Sequence, residues 1–119
     1  MTDAEIVAEL NRRLMSAPVT QLPRGLGEYK RPVAQMRCAD GFSVSVQAHR
    51  GAYCIPRDNT GPWIAFELGF PSAPMPELAE YCDGDNPATA TETVWGWVPV
   101  DRVAAVIAGH GGLTDGWEP

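Results

Sequence analysis

Residues 38–72 read CADGFSVSVQAHRGAYCIPRDNTGPWIAFELGFPS, runs of apolar–polar alternation cut by clusters of turn residues, and that pattern confines the chain to an antiparallel meander. The first hairpin allows a register argument. Phe42, Val44, Val46 and Ala48 share one strand face, with Ser43, Ser45 and Gln47 on the other. The preceding strand offers Ala34, Met36 and Cys38 as its apolar set. A two-residue Asp40-Gly41 loop would pair Cys38 with Ser43 and mismatch the faces. A three-residue loop, Ala39-Asp40-Gly41, pairs Cys38 with Phe42 and gives Gly41 the left-handed position that such a loop requires. Residues 53–55 read as a short strand stopped by Pro56. Residues 63–70 read as the strongest strand, with Ile64, Phe66, Leu68 and Phe70 alternating with Trp63, Ala65 and Glu67. Residues 91–98 place Val94, Gly96 and Val98 on one face and Thr93, Trp95 and Trp97 on the other. Trp63, Trp95 and Trp97 thus oppose the apolar set, either as core under a covering helix or as an open binding patch.

Helices flank the meander. Thr2-Asp-Ala-Glu5 is a capping box, Ile6, Leu10 and Leu14 recur at helical spacing, and Pro18 follows, which predicts a helix over residues 3–15. Asp101 reads as the cap of a last helix carrying Val103, Val106 and Ile107 and closed by Gly109. Residues 17–32 and 71–90, dense in proline and glycine, read as connectors. The first has no regular structure, and the second has room for a helical turn at residues 77–82. The fold class is α+β: one domain over residues 1–119, an antiparallel β-meander of about five strands with an N-terminal and a C-terminal helix.

Charge is uneven. Residues 1–57 hold eight bases and five acids, whereas residues 58–119 hold ten acids and only Arg102, so the halves carry +3 and −9. An acidic chain with one lysine is poorly suited to neutralising a duplex backbone, which argues against direct duplex nucleic acid binding. No apolar run approaches the roughly 20 residues of a membrane helix, and the acidic opening MTDAEIVAEL does not read as a secretory signal. Three unpatterned cysteines fit free thiols in a reducing cytoplasm.

Specific chemistry is sparse. Cys38, His49, Cys54, Cys82 and His110 show no close ligand pair of the kind structural zinc sites use, so no metal and no cofactor are expected. No catalytic residue is assigned: none of the cysteines sits in a nucleophile signature, and Gly109-His110-Gly111-Gly112 is better read as a helix C-cap than as an oxyanion loop. Two surfaces remain. Arg50 and Arg57 flank Tyr53, with Trp63 beyond, and arginine forks beside aromatic rings suit a phosphate and a stacked base. Glu77, Glu80, Asp83 and Asp85 gather in the second connector, where an exposed loop can present a negative field to a protein partner.

The string Cys38-x-Asp40-Gly41-Phe42-x-x-Ser45-Val46-Gln47-Ala48, then Tyr53-Cys54-x-Pro56-Arg57, then Gly61-Pro62-Trp63 with Glu67-x-Gly69-Phe70-Pro71-Ser72, resembles small uncharacterised proteins carried by phages and prophages of proteobacteria. Residues 91–99 and the helix ending in His110-Gly111-Gly112 resemble the same group; the N-terminal helix lies outside the likeness. The resemblance implies an anti-defence protein of the host cytoplasm, anti-CRISPR-like, acting by stoichiometric binding rather than catalysis. Its partner would be a host defence protein met by the acidic residues. The alternatives are a protein that sequesters a small phosphorylated ligand or nucleotide signal through Arg50, Tyr53, Arg57 and Trp63, and an accessory phage protein without ligand. A homo-oligomer is compatible with each.

Overall fold

The capping box forms as the sequence predicts: the Thr2 hydroxyl accepts from the Glu5 amide, the Glu5 carboxylate accepts from the Thr2 amide, and helix α1 runs Asp3–Ser16. The computed structural model of the protein describes residues 1–84 and 86–119. After α1 the described elements are β1 (Thr20–Gln21), β2 (Glu28–Tyr29), β3 (Met36–Arg37), β4 (Ser43–Gln47), β5 (Ala65–Gly69), β6 (Val94–Pro99) and α2 (Val100–Gly109). The architecture is α+β. Strands β3-β4-β5-β6 form one antiparallel sheet in sequence order, and β1-β2 form a separate two-stranded ladder. Among the described residues no helix is long and apolar enough to cross a membrane.

The first hairpin has the register that the face-matching argument requires. Met36 pairs with Val44 and Arg37 with Ser43, which sets Cys38 opposite Phe42, and the Cys38 amide donates to the Phe42 carbonyl at 2.8 Å. Gly41 sits at φ +95°. Phe42, Val44, Val46 and Ala48 are all buried, and Cys38 is buried with them. The loop docks on the end of α2: the Ala39 amide donates to Gly112 O, the Asp40 amide to His110 O, and the His110 ring stacks on Phe42 with centroids 3.9 Å apart. A Cβ on Gly111 would come within 2.9 Å of the Ala39 Cβ. The glycines after α2 therefore serve capping and close approach.

Several expectations are corrected. The connector at 17–32 is not irregular throughout, because Thr20 pairs with Tyr29 and Gln21 with Glu28 around a 3-10 turn at Pro23–Gly25. Residues 53–55 do not make a strand; only Ile55 bridges to Ala65, as Pro56 removes the next donor. The main meander accordingly has four strands. Ala34 is exposed, and so are Ile64 and Phe70 beyond the ends of β5. Asp101 lies in the first turn of α2 and caps nothing; Pro99 is at the N-cap position without a side-chain bond. The helical turn in the second connector is present as a 3-10 segment, Pro76–Tyr81.

The correction that shapes the surface is in β6. Phe66 pairs with Val98 and Leu68 with Trp95, so two residues of β5 span three of β6. The extra residue is a β-bulge at Gly96–Trp97, and it shifts the alternation by one. Trp95 and Val98 therefore share the inner face, both fully buried, while Trp97 is turned out at φ +52°. Behind the sheet one apolar cluster joins Ile6, Leu10 and Leu14 of α1 to Val103, Ala104 and Ile107 of α2 and to Val44, Val46, Phe66 and Leu68. Two buried carboxamides complete it. Asn11 accepts from the Trp63 amide at 2.7 Å and donates to the Trp63 carbonyl at 3.2 Å, and Gln47 makes the same pair of bonds with Val33.

Candidate functional site

On the sheet face away from the helices, residues 53–57 cross the outer side of β5 and meet the β6 bulge. Gly96 makes the approach possible, since a Cβ there would stand 3.3 Å from the Tyr53 Cβ. The Tyr53 backbone is then held from both directions: its amide donates to Glu67 Oε2 at 2.9 Å, and its carbonyl accepts from the Trp97 amide at 2.9 Å. The Trp97 and Tyr53 rings stack with centroids 4.7 Å apart, and the Arg57 guanidinium lies 5.8 Å from the Tyr53 centroid. Trp97 is 50% exposed and Tyr53 39%, with Ile55 and Ile64 also open beside them. The result is an apolar platform built on backbone that its neighbours fix.

Of the residues singled out for anion capture, Tyr53 and Arg57 come together, Arg50 joins them only through its backbone carbonyl, and Trp63 does not. Arg57 Nε donates to the Arg50 carbonyl at 3.1 Å, which ties both arginines to the Tyr53 turn. Trp63 is 2% exposed, with its indole N–H donating to Asp58 O, so it packs in the core and offers no face to a ligand. Trp97 takes the surface position instead. The sequence pattern could not reveal that exchange, because strict alternation places Trp95 and Trp97 on one face.

Of the acidic connector, Asp83 lies along the free edge of β6, while Glu77 and Glu80 lie against α2. Cys82 bridges to Trp95, and the Asp83 amide donates to Val94 O at 3.0 Å, so the connector follows the edge of the strand from which Trp97 projects. Glu77, Glu80 and Asp83 are exposed; Asp85 lies outside the described residues. Arg102 reduces the field there. Its Nη2 reaches Glu80 Oε1 at 3.0 Å and the Glu77 carbonyl at 2.7 Å. The one base of the acidic half thus neutralises Glu80 in part and pins the turn to α2.

Thiol chemistry finds no support in the geometry. Cys38, Cys54 and Cys82 are all free. Burial, reinforced by the charge of Asp40, pushes the Cys38 thiol up to about 11, and burial likewise raises Cys54. Neither is poised as a nucleophile at neutral pH. Among the described residues, no three His, Cys, Asp or Glu side chains gather as a ligand set. Comparison with protein-family models, with curated proteins and with solved structures finds no match to this chain.

Proposed function

We propose that this is a phage-encoded anti-defence protein, an anti-CRISPR-like inhibitor that works in the host cytoplasm by stoichiometric binding to a defence protein. One observation carries the binding surface: the stacked Tyr53–Trp97 pair, half-exposed on the outer sheet face, with Asp83 on the connector along the free edge of β6 and Glu77 and Glu80 beyond it against α2. A tryptophan held in place before its partner arrives loses little side-chain freedom on binding, and such rings dominate the energy of protein interfaces. The acidic border selects a basic partner surface and speeds encounter, an effect that weakens as salt rises. The resemblance to phage proteins supplies the anti-defence context.

The test is protection. In a host whose CRISPR system restricts a phage, expression of the chain raises plating efficiency of that phage, and Trp97→Ala reduces the protection. In direct binding to the captured defence protein, Trp97→Ala costs about 2 kcal/mol or more, roughly 30-fold in affinity. Glu80→Lys with Asp83→Lys lowers the association rate and flattens its salt dependence. A Trp97→Ala protein that folds and protects as well as the parent rejects this surface.

A further inference from the structure

A second site lies away from the platform, in a cleft of about 360 Å³ between the β1–β2 ladder and the loop after β4. Its walls include Tyr29, Lys30, His49, Arg50 and Asn59. Lys30 is the anomaly. It is 4% exposed, its ammonium donates to Asn59 O at 3.2 Å, and it stands 5.4 Å from the Trp63 ring centroid. Among the described residues no carboxylate lies within 4.0 Å of it. Glu28 lines the same cleft, yet its oxygens accept from Asn59 Nδ2 at 3.0 Å and Gln21 Nε2 at 3.2 Å. An ammonium has three donors, and only one finds an acceptor here. Burying such a charge without a counter-ion is unfavourable and is not a stabilising device. Burial accordingly lowers the Lys30 pKa.

Two further donors face the same cleft. His49 Nδ1 accepts from the Gly51 amide at 3.0 Å, which places the proton of the neutral ring on Nε2. Burial lowers the His49 pKa, Lys30 lowers it further, and Glu67 opposes both, so the ring favours its neutral form. Arg50 Nη1 lies 3.9 Å from where a Cβ on Gly27 would stand, so the guanidinium leans over the turn between β1 and β2, and it has no acceptor among the described residues. Tyr29 offers an open ring at the rim.

We propose that this cleft binds a small phosphomonoester, its phosphate held by Lys30, Arg50 and the His49 Nε2–H while Tyr29 packs against the ring of the ligand. Two cations and a neutral donor suit a dianion with three terminal oxygens; a carboxylate has one charge and two oxygens. The volume is that of a small-ligand site. The cleft does not include the Tyr53 and Trp97 rings; its link to that platform is the Arg50 carbonyl, which accepts from Arg57.

Isothermal titration with inorganic phosphate, AMP and adenosine tests it. AMP binds, inorganic phosphate binds more weakly, and adenosine does not bind at millimolar concentration. Lys30→Met and Arg50→Ala each weaken AMP at least tenfold, while Trp97→Ala leaves AMP affinity unchanged and so separates this site from the platform. Because Lys30 carries an uncompensated charge in the free protein, Lys30→Met melts no lower than the parent. A marked fall in Tm for Lys30→Met would make the ammonium a structural strut and reject the proposal. So would adenosine binding as well as AMP, phosphate binding with AMP excluded, no heat with either anion, or AMP affinity unaltered in Arg50→Ala.

Discussion

Trp97 occupies a left-handed backbone conformation at φ +52°, which costs an L-residue about 1–2 kcal/mol. Its stack on Tyr53 returns a similar amount, about 0.5–1.5 kcal/mol. Replacement by glycine removes both, replacement by alanine removes only the stack, and Trp97→Gly should therefore be more stable than Trp97→Ala in urea melts. The reverse order would mean that the bulge is unstrained. Two other glycines separate backbone from packing. At Gly41 an added Cβ meets nothing within 4 Å, so Gly41→Ala costs about 1 kcal/mol for the positive φ alone. At Gly61 the same atom would lie 2.6 Å from the buried Trp63 ring. Gly61→Ala should cost about 3 kcal/mol, backbone strain and overpacking together, in the same assay. Alkylation kinetics give a further check at this scale: Cys38 and Cys54 should resist labelling in the native protein and react on unfolding, since both are buried with raised thiol pKa values.

Helix α1 is fastened electrostatically as well as by its apolar face. Glu9 takes hydrogen bonds from Arg12 and from the buried Arg13, and Arg13 continues to Thr114 O at 2.8 Å and over the Trp117 ring. The Arg12 bond chiefly, opposed by burial and aided by Arg13, lowers the Glu9 carboxyl to about 2. A carboxylate depressed in the folded state stabilises above its unfolded pKa and ceases to do so as pH falls through the folded value. Glu9→Gln should therefore cost about 1–2 kcal/mol at pH 7, allowing for solvent screening, and almost nothing near pH 2; melts across that range measure it. The helix and the β3–β4 hairpin were legible in the chain because each carries a local rule, a capping box in one and face parity fixed by loop length in the other. The β6 bulge was not, since one inserted residue leaves the composition of TETVWGWV unchanged while sending Trp95 and Trp97, which strict alternation puts on one face, to opposite faces. Nor was Lys30: its burial depends on Trp63 and Asn59, which the fold delivers from distant sequence. Tyr53, Arg50 and Arg57 were legible as a group because a tight turn keeps them together. The β1–β2 ladder escaped notice because prolines and glycines around it mask strands of two residues.

At the scale of the molecule, the two carboxamides Asn11 and Gln47 do what neighbouring strands do elsewhere, since each satisfies both polar groups of one buried peptide unit. Asn11→Ala leaves the Trp63 N–H and C=O without these partners and should cost about 2–4 kcal/mol in denaturant unfolding. The Asn11–Trp63 link also spans 52 residues of sequence. Closing so long a loop is entropically slow compared with forming a helix or a hairpin, so this contact belongs to the late part of folding. Its loss should then fall on the unfolding limb of a chevron plot, with the refolding rate nearly unchanged. On the ribosome the first helix can form early but has nothing to grip until Trp63 has left the exit tunnel. Helix α1 is made before its partner Trp63 and is among the last elements to be locked.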